Sequence, residues 1–286
     1  MAQQGENILL TIEGYFCPLN HLAAVTMNVH PAYPKSRMPA PKPLKFPPGK
    51  TLENELITSM KRVEVYGVVY PEGYYQELIE KYTREGIRYP RILEILGKPR
   101  INNHFFYSHV LKGTGRILDY GCGTGDNLRQ LLRDGFTRDR IIAFDINWAS
   151  INLGFDLYRD RERMCDLFVV SETFPFEPAE FDMVYSGSVF QVIADEGEFR
   201  NYLAHALDVL RPGGVLFGST LGQMKEEVVG RSLEEWEPPR VMTREHLTGN
   251  LTDAGFTNPQ IVQLHHVPSY IADNRCVFQF CTKKPA

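Results

Sequence analysis

Short apolar runs alternate with amphipathic stretches from residue 116 to the end of the chain. The runs have the length and composition of strands buried in a parallel sheet, and the stretches between them carry apolar residues at helical spacing. Strands are predicted at Arg116–Tyr120, Arg140–Asp145, Asp166–Val170, Phe181–Ser186, Val215–Gly218, Ile261–Leu264 and Arg275–Thr282. Helices are predicted at Asp126–Asp134, Trp148–Asp160 and Glu198–Leu210, with another beginning at Thr243. This alternation predicts an α/β fold with a seven-stranded, mostly parallel sheet, helices on both faces and an antiparallel pair at one edge.

The first 112 residues follow a different pattern. Seven prolines fall between Pro31 and Pro48, which excludes helix and favours an extended arm over residues 1–50. This arm is either solvated, or folds over the active site or over a second subunit of a homodimer. Helices are predicted at residues 51–63, Tyr74–Tyr82, Arg91–Leu96 and Asn102–Lys112. We expect a proline-rich arm at 1–50, a helical cap at 51–112 and the sheet domain at 113–286, with cap and sheet forming one folded unit.

A turn containing three glycines connects the first predicted strand to its helix. Asp119 precedes Gly121, Gly123 and Gly125, so the chain can turn sharply and approach a ligand closely. A dinucleotide-binding turn would have its last glycine at position 126, where this chain has Asp126. A carboxylate there occupies the favourable end of the helix dipole and repels phosphate. A cofactor that carries an ammonium and a sulfonium suits this acidic turn better.

The turn resembles the first motif of class I S-adenosylmethionine (SAM)-dependent methyltransferases, in which G-x-G-x-G follows an acidic residue. Three further signals of that family occur in the expected order: Asp145 at the end of the second strand, Phe174-Pro-Phe176, and Pro212-Gly-Gly214 before the fifth strand. The resemblance covers about 60% of the chain and does not include residues 1–100. It implies a Rossmann-like fold, SAM as the cofactor and methyl transfer as the reaction.

The resemblance also implies which residues contact the cofactor. Asp145 would accept hydrogen bonds from both ribose hydroxyls, and Ile146 would pack on the adenine. Val170 stands at the family's usual acidic position, so either Ser171 or Glu172 would meet the adenine amino group. The remaining candidates surround the turn or end the fourth strand: Asp119, Gly121, Cys122, Gly123, Gly125, Asn127 and Ser186. We interpret Cys122 as a small filler of the turn and not as a nucleophile.

Candidates for a role in acceptor chemistry are less specific. Gln191 falls where small-molecule relatives often have histidine, and it is a candidate for positioning the acceptor. Histidine can deprotonate a hydroxyl near neutral pH, so His104 and His265 are candidate bases, together with their neighbours His109 and His266. Trp236 and the Phe105-Phe106 pair are either core residues or a surface for an apolar acceptor. No spacing of ligand residues indicates a catalytic metal.

The net charge and the distribution of apolar residues reduce the number of possible functional classes. The 286 residues carry a formal net charge of -4, which disfavours a nucleic-acid or anionic-membrane partner. The chain has neither an apolar run of membrane-spanning length nor a basic leader, so a cytoplasmic enzyme is expected. We therefore predict SAM-dependent O-methylation of a small organic acceptor in natural-product metabolism. The alternatives are C-methylation of a terpenoid or polyketide, methylation of protein or RNA, and SAM binding without catalysis.

Overall fold

A single seven-stranded sheet organises the described part of the chain. The computed structural model describes residues 49–85, 91–224, 238–264 and 275–286. The strands are β1 (Ile117–Tyr120), β2 (Ile141–Asp145), β3 (Phe168–Val170), β4 (Phe181–Gly187), β5 (Leu210–Gln223), β6 (Thr257–Leu264) and β7 (Arg275–Lys283). Their order is β3-β2-β1-β4-β5-β7-β6; β1 to β5 run parallel, and β7 is antiparallel to both of its neighbours. This confirms the predicted Rossmann-like α/β fold.

Helices cover both faces of the sheet because each face is apolar. The described helices are α1 (Leu52–Val63), α2 (Tyr74–Glu85), α3 (Arg91–Ile95), α4 (Tyr107–Lys112), α5 (Asp126–Arg133), α6 (Trp148–Tyr158), α7 (Arg161–Met164), α8 (Glu196–Val209) and α9 (Arg244–Asp253). Leu128 of α5 and Phe155 of α6 pack with Ile117 and Ile141 on one face. Phe199 of α8 and Leu247 of α9 pack in the cluster on the opposite face.

The first three helices form an outer layer against α6, and we call α1–α3 the helical layer. Leu56 and Leu78 of this layer share a buried cluster with Leu157 of α6. The hydroxyl of Tyr82 also donates to the Asp156 carboxylate over 2.7 Å. Thr51 is the N-cap of α1, since its side chain accepts from the backbone N–H of Asn54.

The helix predicted at Asn102–Lys112 is broken, which corrects the sequence-based expectation. A 3-10 turn at Ile101–Asn103 ends at His104, whose backbone is extended, and α4 begins only at Tyr107. The side chain of Gln279 on β7 accepts from the Phe105 N–H and donates to the Asn103 carbonyl. A residue more than 170 positions away thus satisfies backbone groups that a continuous helix would pair internally.

Two strand predictions also change in detail. The third strand begins at Phe168, because Cys165–Leu167 form a 3-10 turn. The Pro212-Gly-Gly214 signal does not precede the fifth strand; it lies within β5 as an interruption of the ladder to β4, between the pairs Phe181–Leu210 and Met183–Val215. Gly213 has φ +75° there.

Several predicted features fall outside the described residues: most of the proline-rich arm, Trp236, His265 and His266. In the part that is described, no helix combines the length and the apolar character needed to cross a bilayer.

Candidate cofactor site

The glycine turn lies at the carboxyl end of β1, where the sheet order changes direction. The N–H groups of Gly121 and Cys122 both donate to the Phe144 carbonyl, which fixes the start of the turn against β2. All three glycines have positive φ, between +57° and +78°. An added Cβ would lie 2.4 Å from Val189 at Gly121 and 2.5 Å from Phe168 at Gly125, but would meet nothing at Gly123. Gly123 is therefore the open point of the turn, where a ligand can approach the backbone.

Asp119 is the least satisfied polar group of the site. Its side chain is fully buried, and neither carboxylate oxygen has a hydrogen-bond partner within the described residues. Burial raises the pKa of Asp119 most, and together with the negative charges of Asp145 and Asp126 it brings that pKa to about 8. A buried carboxylate without a partner is costly, so this arrangement favours an incoming cation.

Two unpartnered hydroxyls share this environment. Tyr185 is the register partner of Asp119 on β4, and Ser219 lies on the adjacent strand β5. Both hydroxyl oxygens are buried without a hydrogen-bond partner among the described side chains and backbone. Burial and the neighbouring Asp119 raise the pKa of Tyr185, and the positive charge of Arg100 opposes this rise. Buried polar groups therefore lie on three adjacent strands, β1, β4 and β5.

Asp145 closes the other side of the turn. Its carboxylate accepts from the Gly123 N–H over 2.7 Å and from the Asn147 N–H over 2.8 Å, one bond on each oxygen. Burial raises the pKa of Asp145, whereas these backbone N–H donors lower it. Each carboxylate oxygen accepts up to two hydrogen bonds, so Asp145 has capacity for two further donors such as vicinal hydroxyls.

An apolar surface flanks Asp145. Ile146 is 69% exposed, and Val170, the register partner of Asp145 on β3, is 36% exposed. The Ser171 hydroxyl accepts from the Thr173 N–H, and Glu172 is exposed. Exposed aliphatic side chains beside a carboxylate suit the flat ring of a nucleoside whose ribose binds that carboxylate.

The side chains of three other predicted cofactor residues contact protein groups or are buried in the protein. The Asn127 side-chain oxygen accepts from the Arg100 N–H over 3.0 Å, so it binds the chain before β1. Ser186 is fully buried and lies 2.8 Å from the Tyr202 hydroxyl, in the packing between β4 and α8. Cys122 is buried, and burial raises the pKa of its thiol well above the usual value, which agrees with its interpretation as a filler.

The histidine and glutamine candidates are held by the protein itself. His104 is buried, its Nδ1 accepts from the Phe106 N–H, and its Nε2 lies 3.0 Å from the Gly218 carbonyl. Burial lowers the pKa of His104 to about 4, which keeps the imidazole neutral, and the two contacts occupy both of its ring nitrogens. The Gln191 side-chain oxygen accepts from the Leu221 N–H over 2.7 Å, which connects the segment after β4 to the end of β5.

Arg100 is a site residue that the sequence did not indicate. It belongs to the segment between α3 and α4, and its guanidinium donates to the Ser188 hydroxyl at the end of β4. Ser188 has φ +63°, which is unusual for a residue other than glycine. No periodic pattern or motif surrounds Arg100, so only the fold brings its charge to the edge where Tyr185 and Asp119 lie.

The fold and this edge define a cofactor-binding α/β domain, and comparison with known proteins gives its family. Residues 117–214 match the family model described as "Methyltransferase domain". Over these residues the chain is similar to class I SAM-dependent methyltransferases, and SAM is the cofactor of that class.

Individual relatives match over part of their length. A malonyl-[acyl-carrier protein] O-methyltransferase of Hahella chejuensis is 34% identical over 37% of this chain and 36% of the relative. The asnovolin E/chermesin D methyltransferase nvfJ of Aspergillus novofumigatus is 29% identical over 38% and 42%. The chain thus spans less than half the length of these curated relatives. A solved phosphoethanolamine N-methyltransferase 2 of Haemonchus contortus with bound SAM is 19% identical, with a TM-score of 0.48 over 60% of this chain and 49% of that one. A similarity of that size does not identify a function.

Proposed function

We propose that this protein transfers the methyl group of SAM to a small organic acceptor, and that the acceptor atom is oxygen. Asp119 is the observation that carries the proposal. Its buried carboxylate has no partner among the described residues, and the amino-acid end of SAM carries an ammonium group that would satisfy it. A phosphate-bearing cofactor would be repelled at the same place.

The residues around the turn fit the rest of the cofactor. Asp145 would hold the ribose hydroxyls, Ile146 and Val170 would cover the adenine, and the open face of Gly123 would allow close approach. Arg100 would pair with the carboxylate of the amino-acid end. Ser171 and Glu172 remain candidates for the adenine amino group. Asn127 and Ser186 act in this proposal through the protein fold, because their side chains already bind protein groups.

SAM supplies a methyl group on a positively charged sulfur, which is already activated toward nucleophiles. The protein's task is therefore to orient the reactants and to exclude water. Gln191, held at the end of β5, is our candidate for positioning the acceptor. An acceptor that presents a carboxylate or an acidic enol needs no base, which agrees with the occupied nitrogens of His104.

The relatives support oxygen as the acceptor atom. The Hahella chejuensis protein is named an O-methyltransferase, and nvfJ is named for the compounds asnovolin E and chermesin D. On this basis we propose that the reaction belongs to secondary metabolism.

Cofactor binding is tested by Gly123→Ala with Gly213→Ala as the matched control. Both glycines have positive φ and open space around an added Cβ, so both variants incur about 1–2 kcal/mol of backbone strain. Only the methyl group at position 123 would occupy the space through which the cofactor reaches the turn. We expect titration calorimetry to give a weaker SAM affinity for Gly123→Ala alone. Equal SAM affinities in the two variants, or no binding by the wild type, would contradict the proposed site.

The acceptor is tested by incubating the protein with isotope-labelled SAM and a metabolite extract, followed by mass spectrometry of the products. We expect a labelled methyl group that is bound to oxygen in a small molecule. A label on carbon would replace O-methylation by C-methylation. A label found in protein or RNA would overturn the small-molecule acceptor, and SAM binding without any labelled product would indicate a non-catalytic protein.

A further inference from the structure

A buried ion pair lies directly behind the glycine turn. Arg129 on α5 and Asp160 have side chains only 4% and 7% exposed. Nε and Nη2 of Arg129 donate to the two Asp160 oxygens over 2.7 and 2.8 Å. The guanidinium carbon also lies 4.0 Å from the centre of the Tyr158 ring. Buried ion pairs contribute little to the free energy of unfolding, because the cost of removing both charges from water offsets their attraction. The fold alone therefore gives little reason for this pair.

The third donor of Arg129 reaches the turn itself. Nη1 donates to the Thr124 carbonyl over 2.6 Å, and Thr124 stands between Gly123 and Gly125. The same carbonyl packs closely against Gly154 of α6. An added Cβ at Gly154 would lie only 2.2 Å from the Thr124 oxygen, so no larger residue fits there. The back of the turn is thus fixed by a side chain of α5 and by the backbone of α6.

The Thr124 side chain is held as well. Its hydroxyl donates to Asp126, whose other oxygen accepts from the Tyr158 hydroxyl. Tyr158 also stacks on Arg129, so all of these groups belong to one connected network on the side of the turn facing α5 and α6. The opposite, open side is the one at Gly123.

We propose that Arg129 is a positioning residue for the cofactor, which fixes the Thr124 carbonyl so that the turn is already in its binding conformation before SAM arrives. Asp160 holds the guanidinium in the orientation that reaches this carbonyl. This inference rests on the proposed function, because it assigns a role within the SAM site. If the turn had to order on binding, each residue ordered would cost about tenfold in affinity.

The test separates cofactor affinity from protein stability. In Arg129→Met with Asp160→Leu, apolar side chains replace the buried pair, which typically leaves stability near its original value. We expect a urea unfolding midpoint close to that of the wild type and a SAM dissociation constant raised about tenfold or more. The control Arg138→Met with Asp166→Leu removes a two-bond ion pair at an exposed position and should change neither quantity. A wild-type dissociation constant in the buried-pair variant would overturn the proposal.

Two single variants decide the question if the double variant does not fold. Asp160→Asn retains one acceptor oxygen that can hold the Arg129 guanidinium at the Thr124 carbonyl, so SAM affinity should stay within about threefold of wild type although stability falls. Arg129→Lys has one charged nitrogen and cannot hold Asp160 and the Thr124 carbonyl as the guanidinium does, so affinity should fall about tenfold. If the SAM dissociation constant changed in parallel with the unfolding midpoint across all variants, the role of Arg129 would be purely structural. Failure of the wild type to bind SAM would instead contradict the proposed function.

Discussion

The protonation of Asp119 should control SAM binding around neutral pH. With a pKa of about 8, Asp119 is mostly neutral at pH 7 in the free protein, and it must ionise to pair with the cofactor's ammonium group. Affinity should therefore rise about tenfold from pH 6 to pH 7 and a further two- to threefold, roughly, to pH 8, where loss of the proton from the cofactor's amino group partly offsets the growing ionised fraction of Asp119. Above about pH 8 the cofactor's own amino group loses its proton, so affinity should be greatest near that pH.

The same pKa has the opposite effect on stability. Between about pH 4 and pH 8 the folded protein holds a proton on Asp119 that the unfolded chain has released, so stability decreases as pH rises through this range. One pKa unit corresponds to about 1.4 kcal/mol, which gives a cost of up to about 4 kcal/mol at pH 7. Asp119→Asn should therefore stabilise the ligand-free protein at pH 7 while weakening its affinity for SAM.

Calorimetry in buffers of different ionisation enthalpy measures this coupling directly. The wild type should release close to one proton per SAM bound at pH 7, and Asp119→Asn should release none from this position. Asp166→Asn removes an exposed carboxylate outside the site, so it is the control that should keep the proton release. A wild-type affinity that is constant from pH 6 to pH 7.5 would refute the reasoning, as would an Asp119→Asn variant with unchanged proton release.

Three further predictions concern residues whose roles the structure separates. Asp145→Asn should raise the SAM dissociation constant roughly tenfold or more, because charge-assisted hydrogen bonds to the ribose are weakened; an unchanged calorimetric constant would remove Asp145 from the site. Since burial lowers the pKa of His104 to about 4, the contribution of this residue to stability should fall by up to about 3 kcal/mol as pH decreases from 6.5 to 4, opposite in sign to the contribution of Asp119. In His104→Gln this loss should disappear from urea unfolding curves, while methyl transfer should keep the pH profile of the wild type. If the decrease in methyl transfer at acidic pH disappeared in this variant, His104 would instead be a catalytic base. Tyr82→Phe should cost about 1–2 kcal/mol of unfolding free energy, through its lost bond to Asp156, with SAM affinity unaltered.

The sheet and the glycine turn could be predicted because their signals are local. Buried strands require continuous apolar runs, and a sharp turn with positive φ requires glycine, so β1, its turn and α5 are recognisable within a dozen residues. The spacing from Asp119 to Asp145 then places the second carboxylate at the end of β2, beside the turn.

Features that depend on distant residues could not be predicted. The break before α4 depends on Gln279, and the burial of His104 depends on the Gly218 carbonyl, neither of which is near in sequence. The direction of Ser186 toward Tyr202 was missed for a related reason. Neighbouring residues of a strand face opposite sides of the sheet, and the sequence did not show that Tyr185, and not Ser186, lies on the face of Asp119.

The contacts between α5 and the chain before β1 bear on the engineering of chimeric enzymes. Asp126 accepts from the Gly97 N–H, Asn127 accepts from the Arg100 N–H, and Gln130 accepts from the Tyr66 hydroxyl. A transplanted segment 49–112 would therefore bring hydrogen-bond donors whose acceptors only a matching α5 supplies. Chimeras of homologues should be functional when the helical layer and the first turns of α5 are exchanged together. A junction at residue 113 would take these two parts from different homologues and remove the matched hydrogen bonds between them.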